Sequence, residues 1–484
     1  MASTARNIFA SGLVLTWALL ACAACDKEDE VPAPEPLASK FELVYATYWG
    51  GSPQANKGNA IRVDKDGYIY LAGETQCPSF YLKNPVSDTT FSTTGFVSKF
   101  TPDGQEVVFS TFLGDPQGYN FCEALLVDRQ GNAIACGLAG GQNFPLKDPL
   151  YGTFTEPWSC GFLSSILPQG GALNFSTFVP DFIPYGRIAA LALDAEGNIY
   201  LAARYGGTIL KISVDGQRLL NQYTIPGFSY LSAIEDIAVA PDGSLVVAGW
   251  TDAANDLLND DSVCPGNGGL EDAFVLMLNP EGTALKFSTQ LGGADDDFAN
   301  GVAVGADGTI YVCGSTASAD FPMKNAADET YGGGIDGFAA RIDPIAGTLR
   351  YSTFLGGSGE DKVRALALAD TGAVYLTGWT TSSDFPVRGA FQDQLGGVKD
   401  PFVTKLSANG ASILLSTFCG GSSRPSYGSS ETGADWANDI CLGPEGKICI
   451  TGETLASDFP LLNPLDGNNS VSKAFIAVLR EKRL

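Results

Sequence analysis

A glycine closes a short polar turn seven times in this chain, at Gly67, Gly131, Gly197, Gly243, Gly308, Gly372 and Gly446, with separations of 64, 66, 46, 65, 64 and 74 residues. Each of these glycines sits inside the same longer phrase. From Ala365 it reads ALALADTGAVYLTG, an apolar run, a turn and a second apolar run. A third run follows it (PFVTKL, from Pro401), and YSTFLGG, from Tyr351, precedes it. Self-similarity at such a period means that one supersecondary unit is being repeated and must find its core against its neighbours. The runs are short, rich in β-branched and aromatic residues, and bounded by Gly, Pro, Asn and Asp, which is the signature of strands. We label the four strands of a unit A (ALALAD), B (VYLTG), C (PFVTKL) and D (YSTFLGG). The A–B and C–D links are short enough for hairpins with Gly in the left-handed region, and no stretch after the N-terminal leader keeps a helical period. The prediction is an all-β fold, a seven-bladed β-propeller of four-stranded antiparallel blades.

The ends of the repeat fix how the ring closes. A lone D strand, FELVYATYWGG from Phe41, stands before the first A strand, and a lone C strand, AFIAVL from Ala474, has no D strand after it. Pairing the two completes a seventh blade and removes both free edges. The expected organisation is a leader over 1–24, an acidic and Pro-rich tether over 25–40, and the propeller over 41–484.

The segments GSTASADFP (from Gly314), GWTTSSDFP (from Gly378) and GETLASDFP (from Gly452), each after an A-x-A-x-D…G-x-x-Y-x-T-G phrase, resemble the bacterial seven-bladed β-propeller repeat family, the SBBP repeats. The resemblance runs over about residues 41–484 and is weakest in units three and four. It implies the propeller fold and an extracellular setting, and it assigns no activity.

The chain has no histidine, which excludes a Ser-His-Asp triad, a Cys-His pair and every His-ligated metal or haem site on it. A formal charge of −25 argues against nucleic acid and anionic membrane surfaces as partners. The N-terminus carries an apolar run, IFASGLVLTWALLA, too short and too early for an ordinary membrane span, leading into LACAACDKEDE. This resembles the lipobox of bacterial lipoproteins, with Cys25, or Cys22, as the lipidated residue and the acidic run as a surface-export signal. The expected location is the cell envelope, as a surface-exposed outer-membrane lipoprotein held by its lipid alone. Nine further cysteines at irregular spacing form no disulfide framework, although Cys441 and Cys449 fall opposite one another across a hairpin.

A site is expected on the face that carries the D→A and B→C connections, because the B→C loops run to about 20 residues whereas the turns on the other face are short. The blade 4 loop from Thr251 and the loop from Ser422 that enters blade 7 are long, and blade 3 has lost its B→C loop, leaving a low wall. The residue just before each inner strand's apolar core forms a ring at the channel mouth: Asn59, Glu123, Ala189, Glu235, Asn300, Arg364 and Asn438. Such a ring either lines a site or merely solvates the channel and caps strand ends. The contacts expected for a ligand are Trp250, Asp256, Asp261, Arg364, Tyr427 and Trp436: aromatics for stacking, Arg and Asp for directional hydrogen bonds. Trp250 and Trp379 serve equally well as plugs at the loop bases. GGSGEDKVR, from Gly356, matches a calcium nonapeptide, but its copies lie a whole blade apart, so no metal or other cofactor is assigned and calcium stays open. The reading is a tethered binding or scaffold module for an extracellular glycan or protein. A carboxylate-based glycan-active enzyme and a purely structural surface protein are the alternatives.

Overall fold

The computed structural model describes residues 39–154, 159–179, 187–225, 227–228, 232–252, 269, 271–423, 433–467 and 472–483. They form seven four-stranded antiparallel sheets, each made of sequence-consecutive strands except the last, whose order is strand D of residues Ser39–Trp49, then strands C, B and A of residues Lys473–Arg483, Lys447–Thr454 and Asp435–Leu442. The N-terminal strand closes the ring as expected: Leu43 pairs with Leu479 and Trp49 with Ala474, and the pairing extends outward to Ser39 and Arg483. Phe41, Tyr45, Tyr48 and Trp49 are buried by it. All seven turn glycines have positive φ, between 72° and 88°, a region that a side chain disfavours.

The innermost strands are Asn56–Val63, Phe121–Val127, Ile188–Leu193, Ala233–Val239, Asp297–Val304, Asp361–Leu368 and Asp435–Leu442. Each enters from the loop face and leaves at the hairpin face. Apolar cores lie between neighbouring blades, as a repeat that cannot bury its own faces requires: Phe338 and Phe354 of blade 5 share a core with Val275 and Phe287 of blade 4.

The S-x-D-F-P segments hold this frame. Their phenylalanines are buried against a C-strand phenylalanine of the same blade, with ring centroids 4.6 Å apart for Phe321–Phe338, Phe385–Phe402 and Phe459–Phe475. Phe80 and Phe144 do the same in blades 1 and 2. Ser382 donates to Asp361 at 2.7 Å, and Asp384 accepts the Ser358 amide at 2.9 Å, which ties the B→C loop to the incoming D→A loop. The most reiterated motif of the chain is therefore structural. Cys441 and Cys449 pair across their hairpin with both thiols free.

Candidate functional site

A cavity of about 560 Å³ occupies the ring's axis at the loop face. All seven ring residues line it. Deeper in, Leu126, Leu193, Leu368 and Leu442 replace polar groups, so the channel is polar at the loop end and aliphatic towards the hairpin end.

One local device builds the mouth. In every blade the A–B pairing slips by one residue, and the extra residue is always the ring residue: Asn59, Glu123, Ala189, Glu235, Asn300, Arg364 or Asn438. A bulge leaves its residue unpaired and re-aims its side chain, here into the channel. The paired B-strand residue is glycine in six blades. At Gly314 a Cβ would fall far inside van der Waals contact with the Phe298 carbonyl. Blade 3 carries Ala203 instead, and it is also the blade whose B→C connection is reduced to residues 204–207.

The ring residues do not share one role. Asn59, Asn300 and Asn438 each donate at 2.8 Å to a carbonyl of a neighbouring inner strand, those of Cys122, Val363 and Gly58. These three are clamps between blades. Glu235 accepts from Arg204 of blade 3 and, at 3.0 Å, from the Trp250 indole nitrogen. Glu123 lies 3.8 Å from Arg187. Arg364 is exposed and, among the described residues, has no hydrogen bond or ion pair.

A layer below the ring, two residues were missed from the sequence. Asp236 and Asp439 stand where other units have Ala or Gly, a departure visible when the units are aligned. Each carboxylate reaches the next blade: Asp236 accepts the Val302 amide and Asp439 the Ile61 amide, both at 2.8 Å. They fill hydrogen bonds that the free inner edge of a blade would otherwise leave to water. Burial pushes the Asp236 carboxyl up to about 7. Arg62 pairs with Asp439. Burial works against its charge, but Asp439, together with Cys441 and Asp236, more than offsets this and raises the guanidinium's pKa.

Above the ring lie the aromatic groups. Trp250, Trp379, Trp436 and Phe298 are all half-buried. Trp250 meets Phe298 edge-on, with centroids 5.7 Å apart, so it is held by Glu235 and Phe298 together. The Lys399 ammonium lies 4.0 Å from the Trp379 ring centroid and 5.8 Å from that of Trp436. Lys362 and Lys399 were not anticipated, because nothing in the inner strand of the one or the loop of the other marks them. Of the expected contacts Arg364 lines the cavity, Trp250 and Trp436 stand above the ring outside its lining, and Asp256, Asp261 and Tyr427, like Cys22 and Cys25, lie outside the described residues. Among the described residues no cluster of three or more His, Cys, Asp or Glu side chains stands close enough to share a metal ion.

Residues 286–322 match the family model of the beta-propeller repeat, SBBP. The match runs from strand D of blade 4 through strands A and B of blade 5 to the proline of its S-x-D-F-P segment. No curated protein matches the chain. Among solved structures, the WD40 repeats of RRP9 align with a TM-score of 0.50 at 8% identity, covering 91% of this chain and 100% of that one. Virginiamycin B lyase from Staphylococcus aureus aligns with a TM-score of 0.48 at 12% identity, covering 91% and 99%. A streptogramin B lyase aligns with a TM-score of 0.47 at 13% identity, covering 92% and 98%. At these identities the likeness is one of fold alone.

Proposed function

We propose that the protein is a binding module of the cell envelope, tethered by lipid on Cys25 or Cys22, that takes an extracellular glycan or protein over the channel mouth. One observation carries the reading: Arg364, exposed and without a hydrogen bond or ion pair among the described residues, lines a polar cavity of about 560 Å³, and half-buried indoles stand above the ring at the same loop face. A mouth serving only to hold the ring together would use its polar groups between blades, as Asn59, Asn300 and Asn438 do. Convergent aromatic and polar groups over a cavity are the usual composition of a ligand site.

The same geometry weighs against the carboxylate-enzyme alternative. A general acid or base must present a carboxyl to the substrate. Glu235 is held by Arg204 and Trp250, Asp439 by Arg62 and the Ile61 amide, and Asp236 by the Val302 and Ile237 amides; among the described residues this leaves Glu123, 3.8 Å from Arg187, as the one carboxylate lining the cavity without a hydrogen bond, and a glycan hydrolase needs two.

A glycan and protein-partner array, with and without calcium, tests the binding reading when run on the protein and on a folded Trp250→Ala/Trp436→Ala variant. The expected result is a retained ligand whose signal falls by about tenfold or more in the variant. Retention that the variant leaves unchanged would place the site elsewhere. Protease treatment of intact cells tests display: digestion without lysis is expected, and complete protection would contradict it.

A further inference from the structure

The cations around the mouth are not distributed as its paired charges would suggest. Arg62 has Asp439, Arg204 has Glu235, and Arg187 has Glu123. Lys57 lies across the strand pairing from Glu74 and acts on it through charge, without an ion pair among the described residues. The corner formed by blades 6 and 7 departs from this. Lys362 and Arg364 stand two residues apart on one inner strand, and Lys399 comes from the end of the blade 6 B→C loop. Among the described residues none of the three makes a hydrogen bond or ion pair with a carboxylate; the acids next to them in sequence, Asp361 and Asp400, are buried, and Glu360 is exposed at the rim. Burial lowers the Lys362 pKa, and the charges of Arg364 and Lys399 lower it further, while Glu360 opposes them. Three like charges are thus held close together in a protein whose net charge is −25.

The indoles divide into two jobs. Trp379 lies under Lys399 at 4.0 Å and beside Lys362 at 5.6 Å, so its ring is a platform for the cations. Trp436 is half-buried and, among the described residues, the cation over its ring is the more distant Lys399, at 5.8 Å.

Building on the reading of the mouth as a binding site, we propose that this corner selects an acidic carbohydrate, with the sugar ring packed on Trp436 and its carboxylate received by Arg364, Lys362 and Lys399. The guanidinium supplies the directional, bidentate contact, and the two ammonium groups add charge. An acidic peptide would satisfy the cations but would leave the Trp436 face unused. A neutral sugar would use the indole and leave three cations uncompensated.

The test is a calorimetric titration of the full-length protein with tetragalacturonate and, separately, with its fully methyl-esterified form, which keeps the rings and removes the charge. Circular dichroism first confirms that the Lys362→Gln/Arg364→Gln and Trp436→Ala variants are folded. The acid is expected to bind at least about tenfold more tightly than the ester, and the double variant to abolish that difference. Trp436→Ala is expected to weaken both forms. Equal binding of acid and ester, an unchanged acid affinity in the double variant, or polyglutamate binding as tightly as tetragalacturonate and indifferent to Trp436→Ala would each overturn the proposal. A neutral glycan retained on an array and lost in the Trp250→Ala/Trp436→Ala variant would overturn it while leaving the mouth as the binding site. An array on which nothing is retained would remove both.

Discussion

Asn300 and Arg364 occupy the same register of adjacent blades, and the chain uses them for opposite ends. Asn300 donates to the carbonyl of Val363, the residue just before Arg364. Asn300→Ala should therefore lower stability by about 1 kcal/mol, the net worth of a hydrogen bond, and leave ligand affinity nearly unchanged. Arg364→Ala removes an exposed side chain that has no partner among the described residues, so stability in denaturant should change by less than about 0.5 kcal/mol while affinity falls. Chemical denaturation and titration of both variants separate the two roles, and the account fails if their effects are reversed. The ring positions were legible in the sequence because a polar residue precedes Ala or Gly in unit after unit. Their roles were not, since a one-residue slip in pairing leaves no trace in an alternating pattern. Its partner does leave a trace, the B-strand glycine. Gly314→Ala should cost about 2 kcal/mol or more in thermal or chemical denaturation, because the new Cβ would press on backbone rather than on a side chain that can turn away.

Between blades 4 and 5, 5 and 6, and 6 and 7, a C-strand aspartate faces the aspartate that opens the next A strand: Asp272 with Asp297, Asp336 with Asp361, Asp400 with Asp435. All six are buried. The pairs come and go together within the chain: where Asn56 or Asn120 stands three residues before the ring position, the C-strand residue of the preceding blade is Lys473 or Thr94. Asp361 accepts the Gly357 amide and the Ser382 hydroxyl with one oxygen, and its other oxygen has no hydrogen-bond partner among the described residues. Asp336 accepts the Gly332 amide with one oxygen, and its other oxygen has no hydrogen-bond partner among the described residues. Burial, reinforced by the neighbouring carboxylate, pushes Asp272, Asp336 and Asp400 up to about 7, and burial pushes Asp297 and Asp435 up to about 6. The unfolded chain gives up these protons near 3.8, so between that pH and about 7 the folded state holds more of them. This contribution to stability is complete below about 3.8 and is lost progressively as pH rises to about 7. Melting temperatures measured from pH 5 to pH 8 should fall across that window, and Asp336→Asn should flatten the fall and stabilise the protein at pH 8 relative to pH 5. A wild-type melting temperature that rises over the same range, or a variant with the same slope, would count against paired protonation. The acids were plain in the sequence, but their pairing was not, because it joins a C strand to the A strand of a different blade.

At the scale of the whole molecule, the sequence laid out the architecture almost completely: repeat period, strand order and closure follow from glycine spacing and from one unpaired strand at each end. What it left unassigned were the charges contributed by loops, such as Lys399, whose neighbours Trp379 and Trp436 come from two blades. Closure carries its own prediction. Starting the chain at Ser52 deletes the strand that buries Phe41, Tyr45, Tyr48 and Trp49 and bares the edge of Lys473–Arg483, so stability should drop by several kcal/mol. An unchanged melting temperature would refute the closed ring as the source of stability. The central claim, that the loop-face mouth is the working surface, is tested most directly by hydrogen–deuterium exchange of the full protein with and without the tightest-binding array member. The account predicts slowed exchange in the segments that enter the mouth, residues 57–59, 362–364, 398–400 and 436–438, with the hairpin-face turns at Gly67, Gly131 and Gly372 unchanged. Protection confined to those turns or to the outer strands, with the mouth segments unaffected, would contradict it.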